Sequence, residues 1–65
     1  MHQAQLDWIE EKEGGWHRHD GYKIEPLPNR HGWHITEGRR LDQMERYHAS
    51  IVSAMIHIDE VDPLA

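Results

Sequence analysis

Residues 39–58 read RRLDQMERYHASIVSAMIHI, a stretch with neither Gly nor Pro. Leu41, Met44, His48, Ile51, Met55 and Ile58 recur along it at intervals of three and four, the spacing that lines one face of a 3.6-residue helix. The pattern predicts one amphipathic helix from residue 39 or 40 to residue 58, about five turns long. Asp42, Gln43, Glu45, Arg46 and Ser53 fall on the solvated side. Val52, Ala54 and Ile56 widen the apolar stripe in the second half, so the helix is expected to carry more greasy surface than a small sheet can shelter. Residues 59–65, which include Pro63, read as a flexible end, as do residues 1–5.

Upstream of this stretch the chain is aromatic and rich in turns. Residues 6–11 read as a short strand with Leu6 and Trp8 on one face, although Ile9 breaks the alternation. Gly14 and Gly15 supply a turn. Residues 16–19 read as a second strand, with Trp16 and Arg18 opposite His17 and His19. Asp20-Gly21 is a hairpin signal, and Tyr22 to Glu25 alternate cleanly with Tyr22 and Ile24 inward. Pro26 and Pro28 interrupt the ladder, and residues 29–32 form a loop before Trp33, His34 and Ile35 alternate again.

These elements predict an α+β fold in one small domain: an antiparallel β-meander of two to four strands, then one long C-terminal amphipathic helix. Leu6, Trp8, Trp16, Tyr22, Ile24, Trp33, Ile35, Leu41, Met44, Ile51, Val52 and Met55 are the expected core. Three Trp and no Phe place at least one indole at the core margin, where its N–H finds an acceptor.

The segments around Trp8, Gly14-Gly15-Trp16, Gly21-Tyr22-Lys23-Ile24, Gly32-Trp33-His34-Ile35 and Ala54-Met55-Ile56-His57-Ile58-Asp59 resemble small accessory proteins of actinobacterial phages and prophages. Those carry Gly-Tyr-x-Ile and Gly-Trp-x-Ile/Leu strands followed by an Ala-rich helix. The resemblance spans most of residues 8–59, although the helix expected here is longer and poorer in Ala. It implies a compact sheet-plus-helix protein and brings no catalytic residues with it.

Composition narrows the function classes. The chain has 65 residues, 7 Lys plus Arg against 12 Asp plus Glu, and a formal charge of −5. Such a balance repels a phosphate backbone, and Arg39-Arg40 is the one adjacent basic pair, so nucleic acid is disfavoured as a partner. An acidic mimic of nucleic acid is disfavoured too, because basic residues interrupt the acidic ones. There is no cysteine, hence no disulfide, thiolate metal site or thiol catalysis. The first residues lack a basic segment and an apolar run, and no stretch approaches the roughly 20 apolar residues of a membrane span. A cytoplasmic protein is expected, in the host cytoplasm if the gene is phage-borne. The 7 histidines would carry the formal charge from −5 to +2 if all were protonated.

Two function classes remain. The first is a non-enzymatic protein–protein interaction module that binds a protein partner, and itself as a homodimer or other homo-oligomer, through His48, Val52, Met55, Ile56, Ile58 and Trp16. The second is a histidine-based divalent-metal module, with His17, His19 and His34 projecting from the wet face of the sheet as zinc ligands. His48, in the helix seam, reads as a half-buried residue with one hydrogen bond, or else as a pH-sensitive contact at an interface. An enzyme is the weakest class, since no pattern sets a base beside Ser50 or Ser53 and the chain is too small to enclose much substrate.

Overall fold

The hairpin announced by Asp20-Gly21 organises the sheet. In the computed structural model, which describes residues 7–64, Gly21 takes φ of 109° and its N–H donates to the Arg18 carbonyl at 3.0 Å. A side chain resists that backbone region, which is why glycine stands there. The Arg18 N–H in turn donates to the Tyr22 carbonyl at 3.0 Å, closing the turn between β2 (Trp16–Arg18) and β3 (Lys23–Pro26).

Around this hairpin the sheet grows to five strands, one more than the upper end of the expected range. Strands β1 (Trp8–Glu10), β2, β3, β4 (Trp33–Glu37) and β5 (Tyr47–His48) pair antiparallel in sequence order. The register puts Trp8 across from Arg18, Trp16 across from Ile24, and Ile24 across from Ile35 on the inner face. Ile9, His17, Lys23, Glu25, His34 and Tyr47 occupy the outer face, which no helix among the described residues covers. Pro26 ends β3 instead of interrupting it, and pairs with Trp33. A strand terminus tolerates the missing N–H.

The long helix is corrected. Residues 39–50 are not helical: they form a 3-10 turn at Leu41–Gln43, an extended Met44 with φ −113° and ψ 151°, and strand β5. The α-helix, α1, runs Ile51–Val61, 11 residues or about three turns. Two local causes set its start. Ser50 is extended, with φ −133° and ψ 155°, and its hydroxyl accepts the Ser53 N–H, the cap that satisfies one orphan donor of the first turn. Ahead of it, β5 pairs with the outer edge of β4, and the Ile35 N–H donates to the Arg46 carbonyl at 2.9 Å, so polar groups of β4 that a helix would leave bare are bonded. Leu41 and Met44 still pack against the core, from turn and extended backbone. Their spacing imitates a helix because the chain keeps returning the same side to the sheet.

The core comprises Trp8, Tyr22, Ile24, Ile35, Ala54, Met55 and Ile58, with Trp16, Trp33, Leu41, Met44 and Ile51 half-buried around it. Val52, expected inside, is exposed. Leu6 lies outside the described residues, as do residues 1–5. The expected flexible end at residues 59–65 is corrected as far as residue 62, since α1 continues to Val61 and Asp62 is buried.

Asp62 is the anchor of a polar knot between the end of α1 and the sheet. Its carboxylate accepts from the Tyr22 hydroxyl at 2.8 Å and from Arg39 Nε and Nη2 at 2.6 and 2.7 Å. Its backbone carbonyl accepts from Nη2 of buried Arg18 at 2.6 Å. Arg18 also makes a two-pronged contact with Asp20, both bonds 2.7 Å, and its guanidinium carbon sits 4.9 Å from the centre of the Tyr22 ring. A buried arginine is thereby satisfied by groups from both sides of the core.

Candidate functional site

Strand β5 delivers His48 to the inner side of the sheet beside the first turns of α1, and the Ser50 cap fixes the angle at which the helix leaves. Val52, Ile56 and Glu60 follow at four-residue spacing, so they share one side of the helix. With His48, Ser50, Ser53 and His57 they line an open hollow of about 510 Å3. Val52 is 39% exposed there. Two apolar side chains thus meet hydroxyl, imidazole and carboxylate groups, which is the make-up of a small contact surface.

One wall is held by two imidazoles. His48 Nε2 lies 2.7 Å from the Glu45 carbonyl, which only accepts, so this nitrogen carries the proton. In the neutral ring Nδ1 is then the acceptor, and the Ser53 hydroxyl, 3.0 Å away, donates to it. The Glu45 N–H donates to His57 Nε2 at 3.0 Å, leaving the His57 proton on Nδ1. The two rings stand 5.1 Å apart. Glu45 is therefore gripped at its N–H by the helix and at its carbonyl by the strand.

Of the residues expected to meet a partner, the structure gathers His48, Val52 and Ile56. It withdraws Met55 and Ile58, which are 1% and 0% exposed in the core, and Trp16, which is half-buried against that core. The physical reason is the shorter helix: its start at Ile51 turns Met55 and Ile58 onto the chain's own sheet, together with Ala54. Ser53 and His57 were missed by sequence reasoning. Ser50 is itself a readable N-cap residue type, but the tie from Ser53 to His48 crosses from helix to strand and has no local pattern.

The three histidines weighed as metal ligands are not brought together. His17 and His34 do face outward, but His17 stands across from Ile9 and Lys23, and His34 across from Glu25 and Tyr47. With β3 between their strands and different cross-strand rows, their backbones are on the order of 10 Å apart. His19 lies in the exposed turn after β2. Among the described residues no group of three or more His, Cys, Asp or Glu is placed to hold a metal ion. His17 Nδ1 instead lies 3.6 Å from Glu11 Oε1, and the His34 ring stacks on Tyr47 at 6.2 Å.

No helix among the described residues is long and apolar enough to cross a membrane. No protein-family model, curated protein or solved structure matches the chain.

Proposed function

We propose that this chain is a non-enzymatic protein-interaction module that meets a protein partner at the corner between β5 and α1. The gathering of Val52 and Ile56 with His48, Ser53, His57 and Glu60 in one open hollow carries this reading. A protein interface pairs an apolar centre with a polar rim, and its energy concentrates in a few side chains. The resemblance to phage accessory proteins implies a compact sheet-plus-helix protein and brings no catalytic residues, which is compatible with a protein that acts by occupying a partner's surface. The Ser53–His48 bond joins the groups of a nucleophile and a base, yet the base is oriented by a backbone carbonyl and the bonds lie in the open. A tie that shapes the contact surface suits this exposed position better than catalysis does.

Photo-crosslinking in the native cell tests it. A photoreactive residue at Ile56 is expected to give a discrete protein adduct that Val52→Asp abolishes, while the same group at Lys12, in the turn after β1, gives none. Identical adducts from both positions would count against this corner. An adduct consisting of two copies of this chain would make the partner a second copy, which sedimentation of wild type against Val52→Asp would then confirm.

A further inference from the structure

The two imidazoles that grip Glu45 respond differently to acid. Protonated His48 keeps both bonds: Nε2–H still donates to the Glu45 carbonyl, and Nδ1–H now donates to Ser53 Oγ, since a hydroxyl can turn from donor to acceptor. His57 has no such freedom. Its Nε2 accepts the Glu45 N–H, and a protonated ring would set one N–H against another.

We propose that His57 is an acid-released latch on the rim of the contact hollow: neutral, it holds the Glu45 N–H against α1, and protonated, it lets that peptide go while the His48–Ser53 tie keeps β5 in place. Glu45 lies two residues ahead of β5, which meets β4 through the two pairs at Tyr47 and His48 and the Ile35 N–H bond to the Arg46 carbonyl. So short a strand depends on its flanks. The titratable groups placed against His57 are His48 from β5, whose ring centre is 5.1 Å away, and Glu60 from its own helix, which lines the same hollow; Glu45, on the connecting segment, meets it through its backbone N–H. The β4 residues packed toward the helix, Trp33 and Ile35, do not titrate. Two adjacent imidazolium rings repel, so acid also drives the His57 ring from His48. As a control on partner docking this rests on the contact reading above; as a property of the fold it does not.

Amide exchange and histidine tautomers in the isolated protein decide the matter. At pH 7.5, 15N spectra are expected to show His57 as the Nδ1–H tautomer and His48 as the Nε2–H tautomer. An imidazole changes charge between about pH 5 and 8, so protection of the Glu45 amide, corrected for intrinsic exchange, is expected to fall roughly tenfold from pH 7.5 to pH 5.5. In His57→Gln, whose side-chain carbonyl accepts without titrating, that protection is expected to stay constant. In His48→Gln the fall is expected to persist. A His57 Nε2–H tautomer, unchanged Glu45 protection in wild type, or an equal fall in His57→Gln would each overturn the latch. No partner enters the measurement, so its failure is distinct from failure of the crosslinking test.

Discussion

The Tyr22 hydroxyl donates to the carboxylate of Asp62, 40 positions further along, across 2.8 Å of buried space. The same hydroxyl accepts the Arg40 N–H at 3.2 Å, so one phenol joins the turn between β2 and β3, the turn after β4 and the end of the helix. Tyr22→Phe keeps the ring in the core and deletes both bonds. A hydrogen bond to a charged group contributes about 1.5–3 kcal/mol, and with Arg39 still on Asp62 the loss should fall near the lower end. Urea denaturation should show a lowered midpoint with little change in slope.

Acid should loosen the same knot. Arg39, and after it the Tyr22 hydroxyl, hold the Asp62 carboxyl below the usual range, and the hydrogen bonds from Arg18 hold Asp20 below it as well. For a carboxyl lowered in the folded state, the unfolded chain binds more protons through the transition, so stability rises with pH there. The contribution is fully present above the ordinary value of about 3.9 and is lost as pH falls through the folded value. The denaturation midpoint should drop below about pH 4, and Asp62→Asn should start lower and show a shallower decline. Equal slopes in wild type and Asp62→Asn would show that this carboxyl is not responsible.

Gly38 leaves no room for a side chain. A Cβ there would land on the Tyr22 ring, and the backbone φ of 156° adds a glycine preference. Tyr22 cannot retreat, because it is wholly buried and bonded at its far end. Gly38→Ala should cost about 3 kcal/mol, from overpacking with backbone strain added. In so small a domain that should remove most of the thermal transition. Gly21→Ala, where nothing lies within 4 Å, should cost only the backbone term.

Met55 and Val52 face opposite fates although the sequence marks both as apolar. Met55→Ala should cost about 2–5 kcal/mol because it empties part of a closed core. Val52→Ala should stay within about 0.5 kcal/mol, since the side chain already meets solvent. Thermal unfolding followed by circular dichroism separates the two. Comparable losses would mean that the helix is rotated from the orientation described.

Ser50→Ala should cost about 1 kcal/mol by removing the acceptor for the Ser53 N–H. Ser53→Ala keeps that cap, which uses the Ser53 backbone, and removes only the tie to His48. A loss of similar size in both variants would show that the hydroxyl tie matters to stability as much as the cap does.

Much of the sheet was legible because its signals are local. Asp20-Gly21 asks for a tight turn, and the alternation of Tyr22 with Ile24 and of Trp33 with Ile35 fixes which side is buried wherever only one face is covered. The candidate site was half legible. Val52, Ile56 and His48 stand out in the apolar stripe, whereas Ser53 and His57 join them only through bonds spanning helix, strand and connecting segment.

The sequence by itself determined an α+β chain in which a meander of short aromatic strands precedes a C-terminal helix, because turn chemistry and side-chain periodicity act within a few residues. Tertiary structure, together with the Ser50 cap, decided where that helix begins. Residues 41–48 carry helical spacing, yet the edge of β4 offers them backbone partners and the core accepts their apolar side chains from extended backbone as readily as from a helix. Tertiary structure decided as well that Arg18, Tyr22, Arg39 and Asp62 should meet. No periodicity records a contact between residues so far apart in the chain, and only the closed fold brings these charges to hydrogen-bonding distance.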